Sequence, residues 1–402
     1  MSLLRLSALC FLLLASFSCS QKKTTTSEPE KAPLPILAYY VPEKDYQPEK
    51  LPLDELTHII FSFTKVIDGE MKFRNEEFPE KLRLLVEQKK NHPDLKVMIA
   101  CGGWGADGFS DMALTEESRQ KFVNSAIAFI EEYQLDGMDM DWEYPGLPAE
   151  DCKYRPEDKE NFTQVMKALR EQLDALDRPQ TLTFASAGWE RYYDHIEVDK
   201  VMKYANYMNI MTYDQIVATT PYTGHHTPLG WITREDIAEY PIAEMYKRWE
   251  AEHPDSKYVP GPGSVEKIVA YLLELGVRPE QMVVGGAFYG RAWKGVPPAN
   301  NGLYQPNGGP HIGWCPYARI RDEFEEKNGY QRHWDPVAKA PYLYNSADSI
   351  FISYDDTASV RLKTEFVLDK GLGGIMFWQL GNDTKGENSL VDAIYEAAHT
   401  GE

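Results

Sequence analysis

The 402-residue chain sets 42 Lys and Arg against 62 Asp and Glu, a formal net charge of −20. That balance argues against nucleic acid, whose binders carry basic faces, and against electrostatic docking on anionic lipid. Its hydrophobic fraction of 43% is ample for a large core, and no apolar run is long enough to span a bilayer. The 12% of aromatic residues suits stacking on sugar rings, although a core of this size also consumes aromatics.

From the N-terminus, Arg5 precedes an apolar run over 6–17 that has the form of a secretory leader, too short for a transmembrane helix. Ser16-Phe17-Ser18-Cys19 resembles a bacterial lipobox, with cleavage before Cys19 and lipid on its sulfur, although Ser16 stands where Leu is usual. Residues 1–18 are therefore expected to be a signal peptide and 19–35 a flexible tether. The protein is expected to be exported and lipid-anchored to a bacterial membrane through Cys19, with simple secretion as the alternative. Cys101, Cys152 and Cys315 allow at most one bridge, and none has a metal-ligand spacing. Neither a metal nor any other cofactor is expected, and a monomer is. Adjacent residues rarely ligate one metal, so the pair His225-His226 is expected on a surface or substrate-facing loop.

From Ile36 onward, eight short apolar runs alternate with helical patterns. The runs are Ile36–Tyr40, 58–63, 97–101, Gly137–Asp141, Thr181–Ala187, Tyr207–Met211, Met282–Ala287 and 373–377. Helical patterns cover Glu116–Tyr133, 156–176, 265–275 and 358–370. Near-continuous hydrophobic strands separated by helices indicate a covered parallel sheet, and eight such units predict an α/β fold closed as a (β/α)8 TIM barrel. No G-x-G-x-x-G follows the first run, which removes the usual dinucleotide reading. Residues 295–316 hold ten Gly or Pro, then a helix-like 317–327 and strand-like 331–334 and 341–344. They predict a small α+β insertion domain, 294–345, between the seventh and eighth strands of a barrel formed by 36–293 and 346–402. The long stretch 216–264 is expected to form part of the cleft rim.

The fourth run carries the chemistry. In Asp136-Gly137-Met138-Asp139-Met140-Asp141-Trp142-Glu143, strand alternation sends Asp139, Asp141 and Glu143 to one face and Met138, Met140 and Trp142 to the other. Like charges at this spacing destabilise an ordinary strand, but they raise one carboxyl's pKa as a general acid requires. A calcium loop is the bland alternative, and it needs Gly where Tyr144 stands, followed here by Pro145. At the ends of other runs lie Tyr213 and Asp214, Tyr289 and Arg291, and Trp378, the end of a barrel strand at which active sites form.

The run Asp136-x-x-Asp139-x-Asp141-x-Glu143 resembles the DxxDxDxE signature of glycoside hydrolase family 18, the chitinase family. Gly102-Gly103-Trp104, Met211-Thr212-Tyr213-Asp214, Tyr289-Gly290-Arg291 and the segment 374–378 match in order, so the resemblance covers nearly everything from Ile36 onward. The resemblance implies the subgroup with an α+β insertion. It further implies hydrolysis of chitin or chitooligosaccharides with Glu143 as proton donor and the substrate's own acetamido oxygen as nucleophile, an exception to the two-carboxylate scheme. Asp141 would orient the acetamido N–H, Asp139 would share a proton or hydrogen bond with Asp141, and Tyr213 would hold the acetamido oxygen. Trp378 would form the floor under the sugar, with Asp214, Tyr289, Arg291, Trp104, Tyr144 and Phe63 lining the cleft. Asp136, at an odd offset, is expected to support the strand. Ala100 departs from the family's SxGG, where Ser stands, and is expected to alter packing or a supporting hydrogen bond without removing catalysis. The same chemistry on the N-glycan core or a bacterial wall polymer is an alternative. A noncatalytic sugar-binding barrel is another, but such members lose the acid that this chain keeps at Glu143.

Overall fold

The computed structural model describes residues 33–42, 46–256, 258–313, 315–386 and 388–400. The leader, Cys19 and the tether as far as residue 32 lie outside the described residues. In chain order the strands begin β1 (Ile36–Tyr40), β2 (His58–Ile67), β3 (Glu70–Lys72), β4 (Lys96–Gly102), β5 (Gly137–Asp141), β6 (Thr181–Ala187), β7 (Tyr207–Met211) and β8 (Met282–Ala287). A second group follows: β9 (Tyr289–Lys294), β10 (Cys315–Pro316), β11 (Gln331–Asp335), β12 (Ala340–Asn345) and β13 (Ile350–Ser353), before β14 (Gly374–Trp378).

Eight of these pair in parallel in the order β1-β14-β8-β7-β6-β5-β4-β2, and β1 pairs with β2 to close the ring. Closure explains the apolar runs. Each strand is covered by helices outside and by the other strands' side chains inside, so both of its faces must be apolar. Ile36, Ala38 and Tyr40 of β1 pack into the layer shared with the helices. Leu37 and Tyr39 join Ile60, Met98, Ala100, Val283 and Met376 within the barrel.

The helices start where the sequence supplies caps. Thr115 Oγ1 accepts the Ser118 amide at 3.1 Å ahead of the helix Glu116–Tyr133, and Asp356 does the same for Ser359 at 2.9 Å ahead of Thr357–Lys370. Gly371, at φ +62°, ends the latter helix in the left-handed conformation.

Between β8 and β14 the chain builds a five-stranded antiparallel sheet in the order β10-β9-β13-β12-β11. This sheet runs from Tyr289 to Ser353, wider at both ends than the expected 294–345, because β9 and β13 pair with each other along their lengths. The helical pattern at 317–327 yields only Tyr317–Arg319 and a π turn at Ile320–Phe324. Left-handed residues at Glu326, Asn328 and Gly329 prevent its continuation. Strand β2 is also longer than its apolar run, because Lys65 to Ile67 pair with β3 in a hairpin.

The two sheets are joined at Asp355, which follows β13. Its carboxylate accepts from Thr227 Oγ1 at 2.9 Å, the Ala287 amide of β8 at 2.9 Å, Ser359 Oγ at 2.7 Å and Lys363 Nζ at 2.6 Å. Both charged side chains are fully buried. Removing one partner of such a pair leaves an uncompensated buried charge. Lys363→Met is therefore expected to lower the unfolding free energy by about 3–5 kcal/mol, read by urea denaturation.

Candidate active site

Strand β5 delivers Asp139 and Asp141 into the barrel, and the chain turns just beyond its end to place Glu143 at the mouth. Asp139 is fully buried and receives three hydrogen bonds, from Tyr39 Oη at 2.9 Å, Thr183 Oγ1 at 2.6 Å and Asn209 Nδ2 at 3.1 Å. Burial nevertheless raises its pKa to about 6, with those three bonds pulling the other way. Asp141 is buried too, and its Oδ1 accepts no hydrogen bond from any described residue. Burial and the charges of Glu143 and Asp139 push its pKa well above the ordinary carboxylate range. Glu143 is raised to about 7, chiefly by burial and further by the charge of Asp214, while Tyr144 and Lys65 lower it. The three carboxyls titrate as a group.

Glycine lets β4 approach this strand end. A Cβ at Gly102, whose φ is +132°, would fall 1.8 Å from the Asp141 carbonyl oxygen. The Gly103 amide donates to that same oxygen at 2.9 Å. Ala100, where the family carries Ser, sits beside Asp139 by strand register, and Asp139 draws its bonds from elsewhere. Asp136 lies at the opposite end of β5, held by Lys89 Nζ at 2.6 Å and by the Val97 amide at 2.9 Å, a supporting position away from the carboxylate cluster.

Tyr213 is buried, its ring 6.0 Å from that of Tyr289. Burial, then the charges of Asp141, Glu143 and Asp214, raise its pKa, so it remains a neutral hydroxyl donor. Asp214, at φ +55°, is gripped at both oxygens by Arg291, with Nε at 2.7 Å and Nη2 at 2.8 Å, and accepts Tyr289 Oη at 2.8 Å. Burial opposes its charge, but His226 and Arg291 outweigh burial and hold its carboxyl well below the usual range. Trp378 is half-buried and stacks on Phe63 at 5.4 Å, forming one apolar wall. Trp104 stands 58% exposed at the margin, its Nε1 donating to Glu150 Oε1 at 2.8 Å and its ring 6.4 Å from Tyr144. Beside Asp214 opens a cavity of about 140 Å³ lined by Trp189, Gln215, Tyr258 and Ser264.

The structure thus brings Asp139, Asp141, Glu143, Tyr213, Asp214, Tyr289, Arg291, Trp378, Phe63 and Tyr144 to one end of the barrel, with Trp104 at the edge. Tyr39, Thr183 and Asn209, which hold Asp139, escaped the sequence reading. Asn209 had a signal, as the one amide inside the apolar run Tyr207–Met211. The histidine pair is not on a surface loop, because both rings are needed as internal hydrogen-bonding partners. His225 Nε2 lies 3.1 Å from Asp335 Oδ2, and His226 Nε2 lies 3.2 Å from the Tyr289 carbonyl oxygen with Nδ1 3.7 Å from Asp214. Cys101, Cys152 and Cys315 are free thiols.

A half-buried carboxyl whose pKa is raised toward neutrality, beside an unbonded carboxylate oxygen, neutral phenols and an indole wall, can protonate a leaving oxygen while holding an N–H donor.

The family model described as "Glycosyl hydrolases family 18" matches residues 35–383. Chitinase A1 of Niallia circulans is 38% identical over 309 residues, 73% of this chain and 42% of its own, so the chain spans less than half of that relative. Chitinase B of Serratia marcescens is 28% identical over 391 residues, 86% of this chain and 77% of its own. Among solved structures, a family 18 N-acetylglucosaminidase from Paenibacillus barengoltzii superposes with a TM-score of 0.77 at 34% identity, covering 90% of this chain and 99% of that one. With a match across almost the whole barrel and the acid run at its fourth strand, this chain belongs to glycosyl hydrolase family 18.

Proposed function

We propose that the chain is a chitinase that cleaves β-1,4 linkages between N-acetylglucosamine units with retention of configuration, by a substrate-assisted route. The observation that carries this reading is Asp141 Oδ1, a buried acceptor without a partner among the described residues, beside a carboxyl raised to about 7. The names of Chitinase A1 and Chitinase B support the substrate class.

Glu143, protonated, donates to the glycosidic oxygen as the bond to C1 breaks. The acetamido carbonyl oxygen of the same sugar forms the new bond to C1, giving a cyclic oxazolinium ion. Being already attached to the sugar, this nucleophile needs no second attacking carboxylate from the protein. Asp141 Oδ1 accepts the acetamido N–H, aligns the group and, when ionised, balances the positive charge that develops there. Tyr213 donates its hydroxyl to the acetamido oxygen, and the Trp378 indole supports the apolar face of the ring. Glu143, now a carboxylate, takes a proton from the water that opens the ring from the face the leaving group vacated.

Glu143→Gln is expected to reduce turnover of chitooligosaccharides by about 100- to 10,000-fold while leaving their binding by calorimetry within about threefold. Unchanged turnover would sink the proposal. The pH dependence follows from the same groups. Glu143 must hold its proton, so kcat/KM should fall as pH rises through about 7, approaching tenfold per unit. On the acid side, activity should fall as the coupled Asp139–Asp141 pair takes up its second proton, Asp139 being raised to about 6.

The likeness to an enzyme named as an N-acetylglucosaminidase favours a second reading, release of single sugars from a chain end. Products of a chitin hexamer, followed by chromatography, separate the two. Early dimers and trimers support internal cleavage, and monomer alone from the first time points supports terminal release.

A further inference from the structure

Lys65 belongs to none of the motifs that carry the family resemblance. It follows Phe63 by two residues on β2, so alternation turns both side chains the same way, and both are half-buried. Its Nζ sits 5.1 Å from the centre of the Phe63 ring, which also stacks on the Trp378 indole at 5.4 Å. The same Nζ donates to the carbonyl oxygen of Gly102. Gly102 is the residue that pairs with Asp141 in the barrel register, and the next amide, Gly103, bonds the Asp141 carbonyl at 2.9 Å. An ammonium is thus fixed between an aromatic wall of the cleft and the peptide that abuts Asp141, with no carboxylate touching it among the described residues.

We propose that Lys65 is a positioning residue of the reaction, a fixed cation whose charge sets the pH window in which the Asp141–Glu143 pair is active. The inference rests on the chitinase reading above. A desolvated ammonium costs free energy unless opposite charge lies near. Asp141 and Glu143 are the anions that favour its charge, together with the Cys101 thiol, while Arg74 opposes it and burial lowers its pKa. The effect is reciprocal, since Lys65 pulls the pKa values of both Asp141 and Glu143 downward. Removing the cation therefore makes both carboxyls hold their protons to higher pH. The acid limb rises, because Asp141 ionises later. The alkaline limb rises as well, because Glu143 keeps its proton longer.

The test uses Lys65→Gln, which keeps a donor for the Gly102 carbonyl and removes only the charge. Its kcat/KM profile on a chitooligosaccharide should move to higher pH on both limbs by about half a unit, about threefold in rate at a fixed pH on either slope. Lys65→Arg should restore the wild-type limbs. A uniform loss of rate with both limbs in place would show a packing role only and overturn the proposal. Should Lys65→Gln not fold, Lys65→Met takes its place in the same measurement. If the wild-type chain hydrolyses no chitooligosaccharide, the chitinase reading fails and Lys65 is decided separately by NMR. In protein with 13C-labelled Asp and Glu carboxyls, the Glu143 resonance, identified by its loss in Glu143→Gln, should titrate at higher pH in Lys65→Gln. An unmoved titration would reject the role.

Discussion

Everything in this molecule is arranged around the difficulty of burying like charges at the end of one strand. Asp139 and Asp141 are buried and Glu143 is half-buried beyond them, where ionising all three at once is costly. Two devices make the arrangement stable. Burial raises the pKa of all three, which disfavours full ionisation, and the innermost member is satisfied by three hydrogen bonds from other strands. Those donors come from β1, β6 and β7, and Asn209 also bonds the Tyr39 hydroxyl at 2.9 Å across the interior. Only a closed ring lets residues from β1 and β7 meet at one carboxylate on β5. An open sheet in the same strand order would leave Tyr39 at an edge.

The second sheet answers a related problem at the cleft's wall. Asp214 lies close enough to raise the pKa of Glu143, so its own charge and position must be fixed. Arg291 and Tyr289, both on β9, hold it through three hydrogen bonds. Strand β9 is in turn fixed by β10 at Tyr289 and Gly290 and by β13 from Arg291 onward, and the residues after β13 lead directly to Asp355 and its buried partner Lys363. The order of the chain therefore matters. The inserted sheet leaves the barrel at the residues that grip Asp214 and returns through the residues that lock β8.

The barrel was legible because helices and interior side chains cover both faces of its strands, leaving eight apolar runs bounded by polar turns. The acid run was legible because three carboxylates alternating with Met and Trp have few other uses. Other features depend on facts that a linear reading does not hold. The apolar run Ile36–Tyr40 does not say which of its tyrosines points inward, and the answer needs the neighbour across the ring. Lys65 looks like the polar end of a strand until Gly102 and Phe63 are placed beside it. Tyr289 and Arg291 were read as cleft-lining, and the pairing of 291–294 with 350–353 makes their strand part of the second sheet as well. The surface placement expected for the histidine pair fails for the same reason, since Asp335, the partner of His225, lies 110 positions further along the chain.

The unpartnered oxygen of Asp141 links stability to catalysis. A buried acceptor left without a donor costs about 1–3 kcal/mol. Natural interiors keep such atoms rare. Here Gly102 and Gly103 hold the Asp141 backbone against β4, and Oδ1 finds no donor among the described residues. On the proposed reading, a sugar with an acetamido N–H at that position would relieve the penalty, and one with a bare hydroxyl there would also lack the carbonyl assigned to Tyr213. Relief in the ground state alone would tighten binding without raising turnover. In the proposed reaction the contact would become catalytic, because charge would develop on the acetamido group only as the glycosidic bond breaks, when an ionised Asp141 gains most. On that reading the bare acceptor is a form of preorganisation, set in place by folding before any substrate arrives.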